Sequence, residues 1–495
     1  MEKPLGMSKA DDNKANTYET GNLMTQYLPP YPAYKDSAIP WLGRIPAHWE
    51  VVPGRACFRE KKIPNTGMQE TTVLSLSYGK LIIKSPDKLH GLVPASFETY
   101  QIVEPNDIIC RPTDLQNDWN SLRFGISRHR GIITSAYMNL NTLSAMFPEY
   151  GYLVLHAYDL KKIFYGLGSG LRQNLDWRDF KYLPCVLPPL PEQRLIARYL
   201  DWADGRIRRL IRTRQRQIKL LEVYKQALIH QAVTGQIDVR TGKPYPAYKD
   251  SGVDWLGKVP AHWEVVPLKR IGSVRIGLIY SPSDVCDENG TLILRASNIR
   301  NGKLIHADNV YVSVEIPKNL LVSENDILVC VRSGSRILVG KSALITKEFE
   351  GVSYGAFMSL LRTIDNRFYY FVLNSNLLPT VMAQFETSTI NQLTQNDLRS
   401  LMVPVPPATE RSAILRFLEA NIETIDAAIA ATRRSIDLLR EYRTRLIADV
   451  VTGKVDVREV AARLPEEVEE ILPEETEEAG EEGIDVGDEE ICEEN

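Results

Sequence analysis

The chain carries one long segment twice. Tyr31–Pro53 reads YPAYKDSAIPWLGRIPAHWEVVP and Tyr245–Pro267 reads YPAYKDSGVDWLGKVPAHWEVVP, identical at 18 of 23 positions across a shift of 214 residues. A second repeated pair brackets two polar–apolar stretches. Leu187-Pro-Pro-Leu-Pro-Glu-Gln-Arg194 and Val405-Pro-Pro-Ala-Thr-Glu-Arg411 open them. Val233-Thr-Gly-Gln-Ile-Asp-Val-Arg240 and Val451-Thr-Gly-Lys-Val-Asp-Val-Arg458 close them, 218 residues apart. A duplicated frame around unlike contents predicts one scaffold holding two different readers, related by a pseudo-two-fold internal repeat.

The repeats divide the chain in order. A polar segment at 1–30 is expected to be disordered, followed by a first domain over 31–190 and a helix over 191–240. A second domain over 241–407, a second helix over 408–460 and an acidic tail over 461–495 complete it. At 495 residues the chain exceeds what one core sustains. Runs such as Thr72-Val-Leu-Ser-Leu-Ser, Asp107-Ile-Ile-Cys, Thr291-Leu-Ile-Leu and Asp326-Ile-Leu-Val-Cys predict strand-rich α/β (α+β) domains. Weaker matches, Glu104-Pro-Asn-Asp-Ile-Ile with Ser323-Glu-Asn-Asp-Ile-Leu and Ser135-Ala-Tyr-Met-Asn-Leu with Gly355-Ala-Phe-Met-Ser-Leu, imply that both share a fold.

The helices are read from periodicity. Leu415, Leu418, Ile422, Ile425, Ile429, Ile436, Leu439, Leu446 and Val450 recur at three- and four-residue steps, interrupted at Thr432 and Arg443. The equivalent first-helix positions include Ala197, Leu200, Ile207, Ile211, Ile218, Leu221 and Leu228, interrupted at Arg214, Lys225 and Asp204. Such a heptad seam predicts a coiled coil between the two helices. Its matched interruptions are expected to face one another. Pro191 and the Thr-Gly pairs at 234–235 and 452–453 supply start and stop signals. Antiparallel pairing would put the domains at opposite ends of a rod of about 60 Å, parallel pairing side by side, and the periodicity admits both.

The charge is uneven. Residues 465–495 hold 16 Asp and Glu and no Lys or Arg, which leaves 59 Lys and Arg against 47 Asp and Glu elsewhere, a net of +12. A basic body points to a polyanionic partner. The six cysteines form no C-x-x-C or metal-spaced cluster, which favours reduced thiols and a cytoplasmic location. No apolar run has the length of a membrane span, and no secretory signal is expected at the start.

Enzymatic constellations are missing. Ser335-Arg-Ile-Leu-Val-Gly-Lys-Ser342 departs from a P-loop at its first glycine. Leu28-Pro-Pro-Tyr31 lacks the polar residue of an adenine-methyltransferase motif, and Pro86-Asp87 has no correctly spaced nuclease partner. His48 and His262, each between Ala and Trp, read as packed structural histidines.

With W-L-G-x-[IV]-P-x-H-W at Trp41–Trp49 and Trp255–Trp263, N-D-I-[IL] at Asn106 and Asn325, and the repeated helix starts and exits, the chain resembles the specificity subunits of type I restriction–modification systems. The resemblance covers about residues 31–458 and rests on the fixed order of individually weak motifs. It implies two target-recognition domains, each reading half of a bipartite double-stranded DNA sequence. It also implies two long antiparallel helices that separate the domains and dock two methyltransferase (M) subunits, with restriction (R) subunits joining. S-adenosylmethionine, ATP and magnesium would belong to those partners, none to this non-catalytic chain. A rod between the domains would then fix the unread gap between half-sites, so removing a heptad is expected to change it. The acidic tail departs from the family pattern and is expected to compete with DNA for the basic body.

DNA-reading residues are expected in the polar loops after each N-D-I strand: Arg111, Asn120 and Arg123 in the first domain, Arg332, Ser333, Ser335, Arg336 and Lys341 in the second. A second loop pair supplies Arg172, Gln173 and Asn174, matched by Thr389, Asn391 and Gln392; Arg295 and Asn298 form a third site. The basic first helix (Arg206, Arg208, Arg209, Arg212, Arg214, Arg216) is either a solvated face or a contact for DNA backbone or an acidic partner. The seam itself is expected to be Ile207, Ile211, Ile218, Leu221 and Leu228 against Ile425, Ile429, Ile436, Leu439 and Leu446. Two rivals stay open: an NTP-binding enzyme using Gly340-Lys341-Ser342, and a coiled-coil adaptor without DNA specificity.

Overall fold

The computed structural model describes residues 28–77, 79–85, 96–115, 117–166, 174–333, 338–377 and 392–465. The chain forms two compact units, one of Met1–Thr213 with Ser435–Asn495 and one of Arg214–Arg434. Both boundaries fall inside the long helices, Leu190–Val233 and Ala408–Val451.

In the first unit, an antiparallel sheet has the order Phe58–Lys61, Met138–Thr142, Ile108–Cys110, Phe124–Ile126. The second unit repeats that order with Gly272–Ile276, Met358–Thr363, Ile327–Cys330 and Ser342–Leu344. Helix Pro148–Leu160 packs on the first sheet and Asn366–Val372 on the second. The class is mixed α/β, as expected. The second unit adds another four-stranded sheet, with Ser353–Tyr354 parallel to Thr291–Leu294.

The N-D-I motif has a structural cause. Asn106 and Asn325 take φ of 71° and 66°, a left-handed conformation that asparagine tolerates. Asp107 Oδ2 accepts from Glu104 N at 2.8 Å and Asp326 Oδ2 from Ser323 N at 2.8 Å, closing the turn before the strand. Each buried carboxylate then meets a cation from the same sheet, Lys61 at 2.6 Å from the strand two places away or Arg362 at 2.6 Å from the adjacent strand.

The long repeat builds a node at the start of each long helix. In the first unit, Tyr31 Oη donates to Glu192 Oε1 at 2.7 Å, Trp49 Nε1 donates to the same oxygen at 3.0 Å, and His48 Nε2 lies 2.8 Å from Oε2. In the second, Glu410 receives Tyr245 Oη at 3.1 Å and Trp263 Nε1 at 2.8 Å, with His262 Nε2 at 2.9 Å. The histidines are structural, each ring resting against the node's tyrosine at 5.7 or 5.6 Å, but they are not buried as their Ala and Trp neighbours led one to expect. Their side chains are 41% and 46% exposed, and their rings close the carboxylate's open side. The exit motifs complete the nodes, Arg458 approaching Glu192 at 3.9 Å and Arg240 approaching Glu410 at 3.3 Å. Gly453 and Gly235 end the helices at φ of 73°; a Cβ there would run into Pro46 or Pro260.

The helix segments pack apolar faces within each unit. Ala197, Leu200, Ile207, Leu446 and Val450 are buried in the first unit's core, with Ile211 and Leu439 at its edge. Ile436, also in that unit, is 6% exposed. Leu228, Ile425 and Ile429 are buried in the second, with Ile218, Leu221, Leu415 and Ile422 at the edge. Glu222–Arg433 at 3.4 Å and Lys225–Asp426 at 2.7 Å show that these segments run antiparallel.

Of the polar interruptions, Arg443 and Asp204 meet one another across the helices as expected, and the others find different partners. Arg443 pairs with Asp204 and Lys225 with Asp426, while Thr432 Oγ1 bonds Ala428 O on its own helix and Arg214 bonds Gln217. Thr432 is short enough to fold back on its helix, and a carboxylate offers each cation more than a facing cation would. Packed residues also occur in the segments expected to be disordered: Pro29 O accepts from Asp456 N, and Ala461 and Leu464 are buried.

Candidate nucleic-acid interface

In the first unit, the loop between strands Ile108–Cys110 and Phe124–Ile126 is held from inside by Arg123. This side chain, expected to reach DNA, is fully buried. Its Nη1 donates to Thr113 O at 2.6 Å, its Nη2 to Asp118 O at 2.7 Å and Asp114 O at 3.1 Å, and its Nε to Tyr165 Oη at 3.2 Å. A loop that must turn away from its strand leaves carbonyls unpaired, and one planar fork with five donors satisfies several together. Arg123 is therefore the loop's internal clamp, and its assignment as a DNA contact is corrected.

Arg111 pairs with Asp118 at 3.6 Å. Burial works against the Asp118 carboxylate, but hydrogen bonds from Ser121 and the charges of Arg123 and Arg111 outweigh it and lower its pKa. Asn120 is exposed, and Trp119, 54% exposed, lies on the Tyr165 ring at 4.5 Å. Asn174 Oδ1 accepts from Asp114 N at 3.1 Å, so the second candidate loop rejoins the first there. The outer face of this loop is thus amide and aromatic more than cationic.

In the second unit, Arg332 is exposed and lies over Phe357 at 5.2 Å. Its backbone pairs with Gln392, again where the second candidate loop rejoins the first. Val331 N donates to Phe357 O, Gly355 N to Leu294 O and Leu278 N to Tyr354 O. Three strand ends therefore converge on the Tyr354–Phe357 turn, bringing exposed Arg295 to the same end of the unit. Ser333 and Lys341 are half-buried. Asn298, expected at the DNA, is fully buried: its Nδ2 donates to Ala307 O at 2.8 Å and its Oδ1 accepts from Arg295 N at 2.8 Å. It pins a turn, which corrects that assignment. Arg172, Gln173, Ser335, Arg336, Thr389 and Asn391 lie outside the described residues.

Two groups escaped the sequence reading, Trp119 and Phe357. Phe357 falls in a motif that also supplies core residues. Alternation was the available signal, because Met358 faces the core and its neighbour must face away. Ile279, 84% exposed, has no such signal.

On the first long helix, Arg206 lies over Trp202 and Arg208 pairs with Asp204. Gly340 takes φ of 88° and is followed by strand Ser342–Leu344. A phosphate-binding loop requires a helix N-terminus at that point, so the nucleotide-binding rival fails on geometry. No helix among the described residues is long and apolar enough to cross a membrane.

A family model described as the type I restriction modification DNA specificity domain matches residues 260–433. The type I restriction enzyme EcoKI specificity subunit of Escherichia coli K12 is 28% identical over 211 residues, 40% of this chain and 44% of that one. The type I restriction enzyme MjaVIII specificity subunit of Methanocaldococcus jannaschii is 23% identical over 434 residues, 84% of this chain and 95% of that one. The match thus spans less than half of the first relative and nearly all of the second. Among solved structures, a chain from work on complex assembly and conformational transition of the type I R-M system aligns with a TM-score of 0.62 at 16% identity, over 83% of this chain and 99% of that one. That likeness bears on the fold.

Proposed function

We infer that this chain, which belongs to the specificity subunits of type I restriction–modification systems, binds duplex DNA and reads it in two parts, one with each unit. One observation carries the reading: both units repeat a sheet order and a glutamate node, yet differ in the groups on the loop after the N-D-I strand. The first unit offers Asn120 beside Trp119, and the second offers Arg332 on Phe357. Asparagine matches the donor–acceptor pair of adenine in the major groove and arginine the two acceptors of guanine. A side chain braced against an aromatic ring loses less freedom on binding.

The chain performs no bond chemistry in this reading. Its long helices pair as a coiled coil and dock two methyltransferase subunits, and restriction subunits join that core. S-adenosylmethionine, ATP and magnesium are held by the partners. Methylome sequencing of cells with and without the chain should show a bipartite motif methylated only in its presence. Replacing residues 268–402 with the matching segment of another specificity subunit should then change one half of that motif. If both halves change, or neither, the two-reader reading fails.

A further inference from the structure

The first unit has a half-open cavity of about 680 Å³ between its recognition domain and the long-helix segments. Lys80, Arg128, Arg194, Arg198, Arg208 and Arg443 line it. Among the described residues, the acids that line it against these six cations are Glu149, Asp201 and Asp204. Glu149 is taken by Arg128 at 3.3 Å, and Asp204 is shared by Arg208 and Arg443. Lys80 is exposed, yet partial desolvation and the charges of Arg208, Arg443 and Arg212 push it down to about 8, so its ammonium stands among like charges. His156, 6% exposed, forms part of the wall, and its Nδ1 has no hydrogen-bond partner among the described residues. Leu81, Leu122 and Leu153 add apolar surface. The site is short of negative charge and holds an unmet buried polar group.

The described chain ends beside this cavity. Arg198, one of its lining residues, donates to Leu464 O at 2.5 Å and to Pro465 O at 3.0 Å. Beyond Pro465 the sequence runs Glu466-Glu467-Val468-Glu469-Glu470-Ile471, the start of a segment with 16 acidic residues and no Lys or Arg. Extended chain covers about 3.3 Å per residue, so Glu466–Glu470 reach the cavity without a long excursion. Val468 and Ile471 are the apolar residues nearest these glutamates in the sequence.

We propose that this cavity is the docking site of the chain's own acidic C-terminal segment, with carboxylates of Glu466–Glu470 meeting Lys80 and the Arg208–Arg443 pair. The docking stands on charge, connectivity and cavity shape and does not depend on the DNA-recognition reading. A zero-length carbodiimide condenses a carboxylate with an amine, losing water to form an amide, and so reports only direct pairs.

In the full chain such cross-linking, read by mass spectrometry, should join Lys80 to Glu466, Glu467, Glu469 or Glu470. Raising salt to about 1 M shortens the Debye length to about 3 Å and should reduce the yield severalfold. A second readout needs no lysine: hydrogen exchange of the Pro148–Leu160 helix should be slower in the full chain than in a variant carrying Glu466→Gln, Glu467→Gln, Glu469→Gln and Glu470→Gln. Cross-links spread evenly over surface lysines such as Lys62, or unchanged exchange between the two chains, would overturn the proposal. Protection of the same helix only on adding duplex DNA would also overturn it, and would give the cavity to nucleic acid.

Discussion

The two glutamate nodes are made of the same residues but closed by the chain in different ways. Around Glu410, the exit motif that brings Arg240 lies five residues before Tyr245. Around Glu192, the equivalent Arg458 arrives from the far end of the chain, and Tyr34 Oη donates to Lys454 O across 420 residues. The second unit is thus one continuous segment and the first is assembled from two. The same noncovalent joint serves in both, so the node holds without help from local connectivity. The repeated motifs encode that joint, and the segments between them are left free to differ.

Removing the carboxylate should have the largest effect. Glu192 and Glu410 are 5% and 6% exposed, and each accepts from a buried indole and a tyrosine. Breaking a buried charged network by deleting one partner costs about 3–5 kcal/mol. Glu192→Ala and Glu410→Ala should each cost that much, but with different consequences. In Glu410→Ala, faster hydrogen exchange should be confined to the second unit. In Glu192→Ala it should spread to 453–464, because the chain does not run on from that exit into the node's tyrosine as it runs from Arg240 into Tyr245. Equal, local effects in both variants would mean that connectivity does not matter at these nodes.

The readers can be separated next. Arg123→Ala leaves several loop carbonyls unpaired and a cavity beneath the loop, a loss of about 2–4 kcal/mol. Arg332→Ala removes an exposed side chain and should leave the melting temperature within error. It should instead cost about 1–3 kcal/mol of affinity at one base pair of one half-site. Methylation of target libraries by the assembled complex, with thermal unfolding alongside, distinguishes a clamp from a reader. A stability loss in Arg332→Ala, or an unchanged Arg123→Ala, would reverse the two roles.

That contrast shows what the sequence could disclose. The duplication, both long helices and the N-D-I strands were legible because each rests on local order: spacing, turn chemistry or apolar period. Glu192 was legible as a helix start but not as an acceptor for three ring groups more than 140 positions away. Arg123 and Arg332 occupy similar polar loops, and nothing local separates an arginine folded under its loop from one standing above it. Only the carbonyls that Arg123 must satisfy make the difference, and those are set by the loop's path. Asn298 was misread for the same reason, since an amide pinning a turn and an amide reading a base are identical in sequence.

The smallest effects should come from the ion pairs on the helices, and their order runs against burial. Lys225 and Asp426 form a simple pair at 2.7 Å with side chains 25% and 37% exposed. Arg443 meets an Asp204 whose side chain is only 13% exposed, but shares it with Arg208. Burial lowers the pKa of both arginines, and the like charge of Arg443 lowers that of Arg208 further. Removing Arg443 therefore leaves Asp204 with a partner and relieves a cation–cation repulsion, whereas removing Lys225 takes away the partner of Asp426. Partly exposed pairs contribute about 0–1 kcal/mol, so Lys225→Met should cost a few tenths within that range and Arg443→Met less, or nothing. Thermal unfolding of both variants, with Arg208→Met added in a double-mutant cycle, tests the ordering. A larger loss for Arg443→Met than for Lys225→Met would show that Asp204 needs both arginines, and that the more buried seam is held by its charges rather than in spite of them.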